Sequence, residues 1–251
     1  MYLKMIPSKL KISQWTTIIP AAGKSSRFKF KKNKIFFKIK NKTILEKIIL
    51  KIHKYSSKIV IIASKNNIKD IKKIVSKFKN FNIDIAIQHK SNGMATAIQS
   101  SFPFINSKYL MIIWADQIGL SKRTIRRTMY SHKYNNYFLT FPIVYKKNPY
   151  TYIKIKNKKF LSHIIQSREN NIKNKCGYTD CGFFCCVTKS LKKELNHLIK
   201  DKKQIVTKKT KEYDFLMSLN VLTKKYDIKI VKSYNRKDSL GINTIKDLKS
   251  L

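Results

Sequence analysis

One stretch, residues 16–37 (TTIIPAAGKSSRFKFKKNKIFF), limits the architectures open to this chain. Residues 16–19 read as a short buried strand, Pro20 ends it, and Ala21-Ala22-Gly23 follows with side chains too small to shield their backbone N–H groups. Lys24, Ser25, Ser26 and Arg27 add cations and hydroxyl donors at the turn, and Lys34 follows shortly after. Bare backbone and converging cations suit a phosphate chain, and a triphosphate fits best. An ordinary strand-to-helix turn with solvated cations accounts equally well for these residues taken alone. Gly23-Lys24-Ser25 is not a P-loop, because that motif requires glycine where Ile18 stands.

Beyond this stretch the hydrophobic pattern alternates between two periods. After a short extended piece at 36–39, Thr43 caps a predicted helix over 43–55, with Ile44, Leu45, Ile48, Ile49 and Ile52 on one face and Lys47, Lys51 and Lys54 on the other. A strand at 58–63, an amphipathic helix at 67–79, a strand at 83–87, a loop at 91–93 and a helix at 94–101 continue the alternation. Residues 109–114 are the most apolar run and are expected at the sheet centre, buried on both faces. That run ends in Ala115-Asp116-Gln117. A carboxylate at the C-terminal end of a central strand lies where open α/β sheets bind ligands, and Ser121 is better placed than Asp116 to cap the following helix.

The alternation loosens after residue 135. Strands are expected at 137–145, 150–155, 160–165 and 179–187, then a helix at 190–199 and a charged, mobile connection at 200–211. A helix at 212–226, a strand at 228–232 and a closing helix at 244–251 complete the chain. No internal repeat is present. The expectation is one α/β domain of three layers, Rossmann-like, with a mixed, mostly parallel central sheet. Residues 1–15 read as an N-terminal extension to a domain over 16–251 with two halves, 16–135 and 136–251.

Charge first suggests a different class. The formal net charge is +42, which would ordinarily point to nucleic acid or an anionic membrane. Only six of the 55 basic residues are Arg, however, and lysine is spread along the whole chain rather than clustered, so no specific nucleic-acid surface is expected. The first fifteen residues have no apolar run of signal-peptide length and no later stretch approaches a membrane span, so a cytoplasmic protein is expected. The four cysteines, Cys176, Cys181, Cys185 and Cys186, lack the paired spacing of common zinc sites and read as reduced core thiols.

With Gly23, Asp116 and Leu240-Gly241-Ile242-Asn243-Thr244 in view, the chain resembles the sugar-phosphate nucleotidyltransferases, and most of all the uridyltransferase domain of N-acetylglucosamine-1-phosphate uridyltransferases. That family opens on a strand, then Ala-Ala-Gly-x-Gly-(Ser/Thr)-Arg-Met and a later Pro-Lys. Here the sequence is Ala21-Ala22-Gly23-Lys24-Ser25-Ser26-Arg27-Phe28 and then Asn33-Lys34, with Asn33 expected to loosen the approach to Lys34. Residues 88–97, QHKSNGMATA, resemble the base-recognition segment, with Met94 in place of its threonine. Asp116 and Asn243 match the two magnesium-binding positions.

The resemblance implies a Mg²⁺-dependent enzyme that joins a nucleoside triphosphate to a phosphorylated acceptor and releases pyrophosphate, with a homo-oligomer compatible with the family. Residues 21–26 would hold the triphosphate with Arg27, Lys34 would offset charge at the α-phosphate, and Gln88 and Gly93 would face the base. Asp116 and Asn243 would bind the metal. The same resemblance implies that 16–135 is the nucleotide-binding half and 136–251 the acceptor-binding half. The acceptor half departs further, so the sugar-binding carboxylate becomes Gln166 or is displaced to Glu169, and Asp180 stands near the family's asparagine. Cytidylyltransferases and molybdenum-cofactor nucleotidyltransferases share the opening loop and the Asn-Thr-x-x-Asp-Leu ending, and are the alternative within the fold. A noncatalytic basic protein that binds nucleic acid is the alternative of another class, favoured only by net charge.

Overall fold

The computed structural model describes residues 10–23, 33–170, 172, 175–201, 204–242, 244 and 247. Its main sheet begins with β1 (Trp15–Pro20), a run of apolar and β-branched residues buried along its whole length. A 3₁₀ turn (Lys34–Phe36) and a two-residue hairpin, β2 (Lys38–Ile39) with β3 (Lys42–Thr43), lead into α1 (Ile44–Ile52). Thr43 caps α1 as a full capping box, its hydroxyl accepting from the Glu46 N–H while the Glu46 carboxylate accepts from the Thr43 N–H. Then come β4 (Lys58–Ser64), α2 (Ile68–Val75), β5 (Ile83–Gln88), α3 (Met94–Ser100) and β6 (Tyr109–Ile113).

The four long strands so far pair in parallel in the order β5-β4-β1-β6. Ile18, Val60, Ile62, Leu110 and Ile112 face one side, while Ile19, Ile59, Ile61, Met111 and Ile113 face the other, and both sides are buried. This accounts for their near-continuous apolar runs, since a parallel sheet is covered by helices on both faces.

The second half is mixed. Helix α4 (Lys122–Asn135), capped by the Ser121 hydroxyl and ended by left-handed Asn136, leads to β7 (Leu139–Lys147), β8 (Thr151–Lys156) and β9 (Phe160–Gln166). The short α5 (Ser167–Asn170) precedes β10 (Cys176–Asp180) and β11 (Phe183–Val187). The single strand expected over 179–187 is therefore two. Gly182, at φ +60°, turns the chain where an added Cβ would press on Trp114 and the Gln117 amide, so β10 pairs with β7 while β11 crosses to lie between β6 and β7. Helices α6 (Thr188–Asp201) and α7 (Phe215–Leu222) and strand β12 (Lys229–Lys232) follow, completing the order β5-β4-β1-β6-β11-β7-β12-β9-β8.

Two further expectations change. The described part of the 200–211 connection is built rather than mobile: Ile205 and Thr207 are buried, and Thr207 exchanges hydrogen bonds with Glu212, 3.0 Å through its N–H and 3.1 Å to its hydroxyl. Helix α7 starts later than position 212 because Asp214 caps it, accepting from the Met217 N–H. The closing helix expected over 244–251 falls almost wholly outside the described residues. Among the described residues no helix is long and apolar enough to cross a membrane.

Candidate active site

In the order β5-β4-β1-β6 the chain winds from β1 outward through β4 and β5, then returns to place β6 on the other side of β1. This reversal is a topological switch point, and the general rule for open α/β sheets puts the ligand crevice beyond the C-terminal ends of the strands there, here β1 and β6. Residues 21–23 leave β1 on one wall and residues 114–116 leave β6 on the other. The Ala21 N–H donates to the Ile62 carbonyl at 2.8 Å, and its carbonyl accepts from the Asn67 amide at 2.8 Å. Ala21 and Ala22 are buried, whereas Gly23 is exposed, and beyond its chain neighbours no atom of the described residues lies within 4 Å of where a Cβ would stand. Lys24, Ser25, Ser26 and Arg27 lie outside the described residues.

Asn33 does the opposite of what its replacement of proline suggested. Its amide donates to the Gly23 carbonyl at 2.6 Å, and its side-chain oxygen accepts from the Ile35 N–H at 3.2 Å. The residue thus bonds to Gly23 and starts the 3₁₀ turn that carries Lys34. From that turn the Lys34 ammonium reaches across to the Asp116 carboxylate at 2.5 Å, with 17% and 15% of the two side chains exposed. Two of the predicted site residues therefore meet directly.

The Asp116 loop is held on three sides. Its carbonyl accepts from the N–H groups of Ile118 (2.9 Å) and Ile242 (3.1 Å), and the Gly119 N–H donates to the Leu240 carbonyl at 3.0 Å. Gly241 lies against the Asp116 carboxylate, so the Leu240-Gly241-Ile242 segment runs beside it; Asn243, the next residue, lies outside the described residues. Below, Asp238 is fully buried and accepts from the Ser121 N–H (2.7 Å) and from the hydroxyls of Thr124 and Ser233. On the third side the Lys51 ammonium donates to the carbonyls of Ile118 and Leu120. Lys51 is thus not on the solvent face of α1: it lies seven residues after Ile44, on the buried stripe, a spacing that could have revealed it. Burial lowers its pKa to about 8, partly opposed by the charge of Asp238 and helped by Lys47.

The acceptor-side residues form a second group. Asp180 accepts from the Thr151 hydroxyl at 2.6 Å and from the Gly182 N–H at 2.9 Å. Burial raises its pKa from the ordinary value; those two hydrogen bonds act against the rise and the charge of Asp116 adds to it. Gln166 is the cross-strand partner of Thr151, is 5% exposed, and its amide nitrogen meets no hydrogen-bond partner among the described residues. Glu169 instead accepts from the Lys209 N–H at 3.0 Å. Thr151, Asn67 and Asp238 had no spacing signal that would have marked them in the sequence.

Gln88 and Gly93 lie at the end of β5 and meet each other. The Gln88 amide donates to the Gly93 carbonyl at 2.9 Å and to the Thr96 hydroxyl at 3.0 Å, so it braces the loop it was expected to serve alongside. Gly93 sits at φ +126°, and a Cβ there would overlap the Tyr213 backbone.

Among the described residues no three His, Cys, Asp or Glu side chains gather into a metal cage. Among the described residues Asp116 offers a carboxylate at the end of β6, 15% exposed. That donor set fits a hard cation such as Mg²⁺, which binds through one or two carboxylates and completes its shell with substrate phosphates and water.

A family model described as the MobA-like NTP transferase domain matches residues 17–209. A bifunctional protein GlmU from Buchnera aphidicola subsp. Schizaphis graminum is 29% identical over 229 residues, covering 90% of this chain and 48% of that protein. A second GlmU, from Thermodesulfovibrio yellowstonii, is 24% identical over 92% of this chain and 50% of its own length. The chain spans about half the length of the curated relatives it matches. Among solved structures, the inositol-1-phosphate CTP transferase from T. maritima superposes with a TM-score of 0.70 at 13% identity, covering 95% of this chain and 93% of that one. The 4-diphosphocytidyl-2C-methyl-D-erythritol synthase from Anaerococcus prevotii gives 0.65 at 14%, covering 95% and 96%.

Proposed function

Because the chain belongs to the MobA-like NTP transferase domain family, and is therefore a nucleotidyltransferase, we propose that it transfers a nucleoside monophosphate from a triphosphate to a phosphorylated acceptor, a sugar 1-phosphate. An acceptor phosphate oxygen attacks the α-phosphorus in line, a new P–O bond forms, the bond to the β-phosphate oxygen breaks, and pyrophosphate leaves. Both reactants are anions, so positioning and charge neutralisation carry the catalysis. The observation that carries this reading is the Lys34–Asp116 pair at 2.5 Å, which puts a cation and a carboxylate at the switch-point crevice of the sheet.

Each residue then has a role. The open backbone at Gly23 and the side chains of Lys24, Ser25, Ser26 and Arg27 hold the β- and γ-phosphates. Lys34 offsets negative charge that builds on the α-phosphate oxygens. Asp116 and Asn243 would hold Mg²⁺, which would supply positive charge against the repulsion between donor and acceptor phosphates. Gln88 shapes the base loop through Gly93. Gln166, whose buried amide nitrogen meets no partner among the described residues, is the better acceptor contact, because such a donor costs free energy until a ligand oxygen meets it. Asp180 beside it accepts from an acceptor hydroxyl. The substrates are small, and neither a membrane nor a specific nucleic acid takes part; the setting is the cytoplasm.

The test is pyrophosphate release from the purified protein, with each common nucleoside triphosphate against a panel of phosphorylated acceptors, with and without Mg²⁺. One donor–acceptor pair should release pyrophosphate only when both are present. Failure of every pair, with salt-sensitive binding to nucleic acid instead, would contradict the reading.

A further inference from the structure

Residues 204–214 connect two places that the functional reading assigns to different substrates. At one end, Tyr213 lies on the base loop: its N–H donates to the Asn92 carbonyl at 2.7 Å and its carbonyl accepts from the Ala95 N–H at 3.0 Å. Gly93 between them has no room for a Cβ against the Tyr213 backbone. At the other end, the Lys209 N–H donates to the Glu169 carboxylate at 3.0 Å. Glu169 belongs to α5, which continues directly from Gln166.

The segment between these ends is internally braced. Val206 bridges Tyr213, the Asp214 N–H donates to the Ile205 carbonyl at 2.8 Å, and the Lys211 N–H donates to the Thr207 carbonyl at 3.1 Å. The Thr207 hydroxyl lies 2.6 Å from that of Thr210 and accepts from the Glu212 N–H. Ile205 is 0% and Thr207 1% exposed. A turn with its ends bonded and its base buried moves as a unit, so a displacement at Lys209 reaches Tyr213, and through it Gly93 and Gln88.

We propose that residues 204–214 form a strap joining the donor and acceptor sides, latched by Glu169, which is a positioning residue and not an acceptor ligand. The proposal rests on the functional reading for what lies at each end, but the latch itself is a structural claim. By linkage, a strap of this kind makes the affinities of the two substrates depend on each other.

The test uses Glu169→Ala and Glu169→Gln in the full chain, since the glutamine oxygen can still accept from Lys209. Hydrogen exchange at the Ala95 and Tyr213 amides should accelerate in the alanine variant and return toward wild type in the glutamine variant. The triphosphate KM should rise about tenfold in Glu169→Ala, a size typical of coupling between sites, and recover in Glu169→Gln. Unchanged exchange at Ala95 and Tyr213, or a defect confined to the acceptor KM, would overturn the latch. If Glu169→Ala does not fold, Thr207→Val breaks the middle of the strap and should produce the same exchange pattern. A wild-type protein that binds no triphosphate would overturn the functional reading, while the exchange result still decides the latch.

Discussion

Lys34 and Asp116 are 82 positions apart, and their contact is the smallest unit that makes the site chemically specific. Lys34 is one of many lysines, distinguished by where Asn33 holds it. Lys34→Ala should lower turnover about a hundredfold or more while leaving the circular dichroism spectrum unchanged, as loss of a charge contact in the transition state does; a near-normal rate would remove Lys34 from the mechanism. Gly93 supports the second prediction. Its φ of +126° and the Tyr213 backbone beside it leave no room for a side chain, so Gly93→Ala should cost about 1–3 kcal/mol in denaturant unfolding. An unchanged unfolding midpoint would show that the base loop is not pinned as described.

At the scale of elements, the parallel half was legible because buried parallel strands and amphipathic helices have distinct periods, and residues 58–63 or 83–87 could be read directly. The edges of the mixed half were not. The break at Gly182 turns on a close approach to Trp114, which is far away in sequence, and the built turn at 204–214 depends on Thr207 and Glu212 hydrogen bonds inside a charged run with no apolar period. Lys51 is legible only in part: its spacing from Ile44 marks it as inward-facing, but the carbonyls it meets are 67 and 69 positions away. Its titration gives an element-scale prediction. The folded-state pKa of about 8 lies below that of an unfolded lysine, near 10.5, so between these values the unfolded chain binds more protons and stability rises with pH. The gain in stability between about pH 8 and 10.5 should therefore be larger in wild type than in Lys51→Met; identical pH profiles would mean that Lys51 is not buried against the Asp116 loop.

For the molecule as a whole, a net charge of +42 opposes compaction through self-repulsion, and salt screens that repulsion. The thermal midpoint should rise as ionic strength goes from about 10 to 150 mM, and a fall would mean that specific ion pairs outweigh the repulsion. The same charge made the sequence look like a nucleic-acid binder, while the topology points elsewhere. The reversal of strand order at β1 brings Gly23 and Asp116 to one crevice, and the crossing of β11 brings Asp180 to its rim. The order of the sequence motifs allowed that convergence to be expected; Thr151, Asn67 and Asp238, which brace it, are visible only when the chain is folded.

On the proposed function, the crevice between β1 and β6 joins a triphosphate to a phosphorylated acceptor. The most direct measurement follows label from the α-phosphate of the triphosphate in wild type and in Asp116→Ala. Wild type should transfer the label to the acceptor in equal amount with pyrophosphate, and Asp116→Ala should lose both while keeping its fold. Transfer at the wild-type rate by Asp116→Ala, or label recovered without acceptor attached, would contradict the proposed function.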